Sequence, residues 1–151
     1  MDQEIYVKEV KNVTEEVVSS ISSLIKELGT TFEPFTKETL EKILRSENTF
    51  LYIAIDQMTN KIAGMITLCV FTIPYRTKGW LEDLVVDKSF RGRGVGSMLL
   101  EHAIEKAKSQ KVTSLNLSSS ISRNQASKHL YEKHGFVIRD SHIYRLLLSY
   151  E

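Results

Sequence analysis

Apolar and polar residues alternate from Ile5 to Val10, which predicts a strand. Val17, Val18, Ile21, Leu24, Ile25 and Leu28 then recur at helical spacing. Asn12, with Glu15 three residues on, reads as the capped start of that helix, and Gly29 as its stop. A second, short helix is predicted over Lys37–Arg45, with Leu40, Ile43 and Leu44 inward. Phe50–Asp56 and Ile62–Ile73 are β-rich runs joined by a polar turn at Gln57–Lys61, so they read as a hairpin. Trp80–Val86 continues the meander. Its apolar positions, Leu81, Leu84 and Val86, break strict alternation, which fits either a β-bulge or a strand buried on both faces.

A glycine-rich loop follows, then a helix on which Val95, Leu99 and Ala103 share one face with Leu100, Ile104 and Ala107 beside them. Lys111–Ser118 reads as a strand with Leu115 and Leu117 inward. Arg123–His134 reads as a helix ended by Gly135. Phe136–Arg139 and Ile143–Tyr150 read as a closing antiparallel pair. The order β-α-α-β-β-β-α-β-α-β-β predicts an α/β (α+β) fold in one domain, residues 1–151. Its centre is a mixed, mostly antiparallel sheet of about seven strands, flanked by about four helices.

Composition agrees with an ordinary globular domain: of 151 residues, 42% are hydrophobic and 26% charged. The net charge of +1 gives no sign of a nucleic-acid or acidic-membrane partner. Cys69 is the single cysteine, so no internal disulfide forms, and no Cys/His group has metal spacing. The opening MDQEIYVKEV lacks the apolar core of a signal peptide, and the apolar run near Ile62–Ile73 is far short of a membrane span. The expectation is a soluble, cytoplasmic protein without a metal.

Three of the seven glycines lie within Gly92–Gly96, directly after a strand and at the opening of a helix. The first N–H groups of a helix have no intrahelical partner, and the macrodipole makes that end positive. Glycines let the backbone turn tightly and approach a ligand closely. Arg91 and Arg93 add guanidinium donors suited to phosphate. Together these predict a cradle for a diphosphate. A dinucleotide fingerprint fails, because its third glycine falls on Ser97 and the next strand ends in Ser118-Ser119-Ser120 rather than an acid. A P-loop fails for want of Gly-Lys-Ser/Thr.

Arg91-Gly92-Arg93-Gly94-Val95-Gly96 does fit the pattern Arg/Gln-x-x-Gly-x-Gly/Ala after a strand. Leu81-Glu82-Asp83-Leu84-Val85-Val86 precedes it. Asn124-x-Ala126 and Leu130-Tyr131-Glu132-Lys133-His134-Gly135-Phe136 follow. Over residues 80–137 the chain resembles the GNAT superfamily of acyl-CoA N-acyltransferases. Lys88 stands where many members carry proline.

The resemblance implies an N-acetyltransferase that moves an acetyl group directly from acetyl-CoA to a primary amine. It implies that the diphosphate of CoA rests on backbone N–H groups of the glycine loop, here those from Arg93 to Met98, within a cofactor-binding stretch of Arg91, Gly92, Arg93, Gly94, Val95, Gly96, Ser97 and Met98. The pantetheine arm would pair like an added strand with Leu84, Val85 and Val86. Asn124 would hydrogen-bond the same arm. Tyr131 matches the tyrosine placed near the CoA sulfur. A phenol with a reference pKa of about 10 stays protonated at neutral pH and can donate to the departing thiolate. Glu82 is the candidate base, acting on the ammonium directly or through a water. Asp83 would point to the opposite face unless a bulge intervenes. Cys69 reads as packing.

Acceptor choice is expected from parts outside the motif. Phe32, Glu33, Tyr75, Arg76, Trp80 and Tyr144 are candidate lining residues, the Pro74–Gly79 segment being read as a long loop. Arg76 with Arg123 would favour an acidic acceptor, and Glu33 a polyamine. A small-molecule amine is the first expectation, with a protein lysine or N-terminus as the alternative that needs an open groove. The long loop argues against that alternative. A third reading is a non-catalytic acetyl-CoA sensor. A homodimer is the assembly the resemblance suggests.

Overall fold

Every alternating run before residue 118 forms a strand. β1 (Ile5–Glu9), β2 (Thr49–Asp56), β3 (Ile62–Ile73), β4 (Arg76–Val86) and β5 (Ser114–Leu117) make one sheet in the order β1-β2-β3-β4-β5. All neighbours are antiparallel except β4 and β5, which are parallel. The helices are α1 (Glu15–Lys26), α2 (Lys37–Arg45), α3 (Val95–Ser109) and α4 (Gln125–Lys133). The computed structural model describes residues 4–29, 33–120 and 125–148. The chain forms two compact units, Met1–Ser118 and Ser119–Glu151.

The starts of α1 and α2 are set by hydroxyls. Thr14 Oγ1 accepts from the Val17 amide at 3.2 Å, so Thr14 caps α1 where Asn12 was expected. Thr36 caps α2 in the same way, through the Thr39 amide at 3.3 Å. Gly29 stands in the left-handed region (φ 75°), as a helix stop requires.

Both faces of the sheet are covered in the first unit. Leu51, Ile53, Ile55, Met65 and Val85 pack with Ile21, Leu24 and Leu40 of α1 and α2. Their sequence neighbours point the other way, toward α3: Tyr52 meets His102 with ring centroids 6.3 Å apart. On that side Leu99, Leu100 and Ala103 are fully buried.

Two further expectations need correction. The segment Pro74–Gly79 is not a long loop. Ile73 pairs with Arg76, leaving only Pro74 and Tyr75 as the turn. Thr77 and Lys78 continue the strand, with Thr72 and Thr77 hydroxyls 3.1 Å apart and the Lys78 ammonium 5.9 Å from the Phe71 ring centre. Polar residues on an exposed strand end read as loop, and Gly79 reads as a breaker. Gly79 instead makes room for β5: a Cβ there would lie 2.8 Å from Leu115 Cδ1.

Among the described residues the sheet has five strands rather than about seven. In the second unit, α4 ends at Lys133 and Gly135 has φ 87°. Among the described residues, 136–148 join no ladder, and Val137, Ile138, Ile143, Tyr144, Leu146, Leu147 and Leu148 are exposed. Their β-prone composition measures how well side chains fit a pleated, half-buried surface, and pairing needs that surface. No described helix is long and apolar enough to cross a membrane.

Candidate active site

The break in alternation along β4 is a bulge. Thr67 pairs with Glu82 and Met65 with Val85, so β4 spends Asp83 and Leu84 opposite the single residue Ile66. Asp83 takes the left-handed conformation, φ 53°, which an aspartate tolerates better than most side chains. Strained backbone of this kind at a strand centre is a frequent mark of functional sites. The bulge also keeps Glu82 and Val85 on one side of the sheet, since each faces its partner on β3 in the 65-67 alternation.

The same region is where β4 and β5 part. Their parallel ladder runs from Lys78↔Ser114 to Leu81↔Leu117 and stops there. Residues 82–86 continue without a partner on β5. The three residues expected to hold a pantetheine arm, Leu84, Val85 and Val86, therefore lie on the stretch of β4 that β5 does not cover. Val85 is buried, and Leu84 and Val86 are half-buried.

Beyond β4 the chain turns through Asp87, whose carboxylate accepts from the Ser89 amide at 2.8 Å. The Ser89 hydroxyl and then its amide hold the Asp87 carboxyl below the usual carboxylate range. Phe90 is buried and anchors the turn. Gly92 and Gly94 both stand at positive φ, 77° and 78°, and nothing lies within 4 Å of where a Cβ would be on either. Gly94 caps α3 without a side-chain cap hydrogen bond, at the positive end of the helix dipole. Val95 is buried below, while Gly96, Ser97 and Met98 are half-buried.

Both guanidinium groups have neighbours within the protein. Arg91 donates from Nη2 to Glu27 at 2.9 Å and from Nε to the Val86 carbonyl at 3.2 Å. Arg93 lies over the Phe90 ring, 5.2 Å from its centre. What the corner offers an anion is main-chain N–H groups at a dipole end.

On the bulge side of the sheet, Glu82 and Trp80 face Thr67 and Cys69. Burial, then the charge of Glu82, pushes the Cys69 thiol up, with a hydrogen bond from Thr49 opposing. A thiol held protonated is a poor nucleophile, consistent with Cys69 as packing. Asn116 of β5 is in register with Trp80, and its Nδ2 is buried without a hydrogen-bond partner. Sequence reading passed over Asn116, because a polar residue between Leu115 and Leu117 looks like ordinary alternation. It passed over Glu27 as well, although an acid at the negative end of a helix was a readable anomaly.

Within the first unit, the described acceptor candidates lie on different elements. Tyr75 and Arg76 sit at the β3–β4 turn, the guanidinium 4.7 Å above the phenol ring and Tyr75 largely exposed. Trp80 lies mid-strand, and Glu33 is exposed ahead of α2. Phe32, Asn124 and Arg123 lie outside the described residues. Tyr131 and Tyr144 belong to the second unit. Tyr131 is half-buried on α4, edge-on to Phe136 with centroids 6.1 Å apart. Tyr144 is exposed beside His142. Among the described residues no group of His, Cys, Asp and Glu could hold a metal ion.

A family model described as Acetyltransferase (GNAT) family matches residues 20–136, and the chain belongs to that family. It is 29% identical over 151 residues to N-alpha-acetyltransferase 30 of Saccharomyces cerevisiae, covering 97% of this chain and 83% of that protein. It is 37% identical over 83 residues to glucosamine 6-phosphate N-acetyltransferase of Trypanosoma brucei brucei, covering 53% of this chain and 54% of that one. Over half of that relative's length is thus all that is matched, and the same holds for a Bacillus subtilis relative, matched over 55%. Among solved structures, a Trypanosoma brucei acetyltransferase superposes with a TM-score of 0.75 at 25% identity, covering 95% of this chain and 99% of that one.

Proposed function

We propose that the chain is an acetyl-CoA-dependent N-acetyltransferase that acetylates a primary amine, with residues 1–151 as one catalytic domain. One observation carries this reading. A bulged strand leaves its neighbour at Leu81 and runs into a glycine corner that opens α3 without a side-chain cap. Such a strand end suits an amide-bearing arm, and such a corner suits the diphosphate attached to it. The family match runs from residue 20 to 136 and so includes parts of both units, which supports treating them together.

In this reading the amine nitrogen attacks the thioester carbonyl, the new C–N bond forms and the C–S bond breaks. Glu82 takes the proton that the ammonium must lose, directly or through a water. The backbone N–H of Leu84 or Val85, turned by the bulge, donates to the carbonyl oxygen as charge builds there. Tyr131 protonates the departing thiolate, and the second proton that the nitrogen sheds on becoming an amide restores the phenol. Holding both substrates in one cleft supplies much of the remaining acceleration, and no acyl-enzyme is required.

A small-molecule amine is the favoured acceptor, as in the glucosamine 6-phosphate relative. A protein N-terminus is the second reading. The match to the yeast N-alpha-acetyltransferase along 97% of this chain favours it. So does the two-residue β3–β4 turn, because the long loop that argued against an open groove is absent. The exposed apolar residues at 137–148 support a homodimer. A cytoplasmic location fits the reading as well.

The test is release of free CoA thiol from acetyl-CoA in the presence of an amine panel and of N-terminal peptides. Amine-dependent release supports the enzyme reading. Donor binding without any release supports a sensor.

A further inference from the structure

Glu27 is the C-terminal cap of α1, where a carboxylate meets the negative end of the helix dipole. Lys26 beside it carries the sign that position favours. Glu27 is nonetheless largely sheltered, its side chain 17% exposed, and its partner is 64 residues away: Arg91 Nη2 at 2.9 Å. The same guanidinium donates Nε to the carbonyl of Val86, the last residue of β4. One planar group thus joins the end of a helix, the end of the bulged strand and the first residue of the glycine corner. A lysine, with a single ammonium on a flexible stem, does not reproduce that fork.

The corner is also held by Arg93 over the Phe90 ring and by the Met98 amide, which donates to the Gly94 carbonyl at 3.1 Å. Phe90 is buried before it and Val95 after it, and between them Gly92 and Gly94 have no side chains to hold them. Glycine loses more backbone freedom on ordering than any other residue. A loop already fixed in its binding shape avoids that loss when the ligand arrives.

We infer that the Glu27–Arg91 pair is a positioning device that sets the glycine corner for the donor's diphosphate, with Glu27 acting only through Arg91. This rests on the proposed acetyl-CoA site. It assigns Arg91 a role different from that expected of a phosphate-facing arginine, since its guanidinium is engaged by Glu27 and Val86.

The test is calorimetric titration of CoA into the full chain for wild type, Glu27→Gln, Arg91→Lys, Arg91→Gln and the Glu27→Gln/Arg91→Gln double variant. Steady-state kinetics are run in parallel. The expected result is a CoA Kd raised about five- to tenfold by Glu27→Gln, with kcat at saturating donor unchanged. Arg91→Lys should weaken binding nearly as much as Arg91→Gln, and the double variant should be no worse than Arg91→Gln alone. A merely stabilising surface pair would lower the melting temperature and leave Kd unmoved. Glu27→Gln binding within twofold of wild type overturns the inference. So do multiplicative effects of the two substitutions, which would mean that Arg91 meets the diphosphate on its own account. Should Glu27→Gln not fold, Arg91→Lys decides: wild-type affinity in that variant overturns the proposal. Failure of the wild-type chain to bind CoA overturns the donor site itself and this inference with it.

Discussion

Leu99 of α3 lies against Gly64 of β3, so that a Cβ on Gly64 would stand 3.0 Å from Leu99 Cδ1 and 2.7 Å from the Val85 carbonyl oxygen. The bare backbone at Gly64 brings α3 close to the sheet beside the end of β4. Gly64→Ala should destabilise the protein by about 1–3 kcal/mol, the usual range for overpacking. Denaturant unfolding measures this. Because the obstacle includes backbone of β4, CoA affinity should fall in the same variant.

Gly94 makes the opposite case. Its surroundings are open, and only its φ of 78° restricts it. Gly94→Val should therefore cost about 1–2 kcal/mol through backbone strain alone. The variant should fold, as judged by circular dichroism, and lose CoA binding by more than about tenfold in titration. Retained affinity would move the diphosphate elsewhere.

Tyr131→Phe removes one hydroxyl from a ring that keeps its edge contact with Phe136. Turnover should fall by about 10²–10⁴-fold, the range for a lost general acid, while CoA Kd stays within about twofold. Unchanged turnover would remove Tyr131 from the chemistry.

Burial, and then the charge of Glu9, pushes the Tyr52 phenol up to about 12. The fold thus holds this proton more tightly than the unfolded chain, whose phenol titrates near about 10. Its stabilising contribution is whole below that value and is lost as pH rises toward 12. Tyr52→Phe should flatten the alkaline limb of a stability-against-pH curve measured by denaturant unfolding. An equally steep limb in the variant would assign it to other groups.

Local pattern was enough for most of the first unit. Helix α2 and strand β3 have the predicted bounds, because Leu40, Ile43 and Leu44 keep helical spacing and Ile62–Ile73 is continuously β-prone. The faulty alternation of Leu81, Leu84 and Val86 fits a bulge and a doubly buried strand alike, and the register with β3 decides for the bulge, whereas the glycine corner reads directly as a cluster at a strand-to-helix junction. Relations across the chain were not visible. That Gly79 yields to Leu115, that Arg91 serves Glu27, and that Thr77 and Lys78 belong to β4 all depend on partners distant in sequence. The final apolar run shows the converse, since strand-like composition at 143–148 came without a ladder among the described residues.

Asp83 is a surplus residue in the arithmetic of β4. Without it, Leu84 would sit opposite Ile66 and Val85 would still meet Met65, giving a strand with uninterrupted parity. The deletion would leave every helix and every core contact of the sheet with a counterpart. It would remove the bulge between Glu82 and Val85. A protein lacking this single position should thus persist as a well-folded relic, with its architecture intact and the proposed donor berth erased.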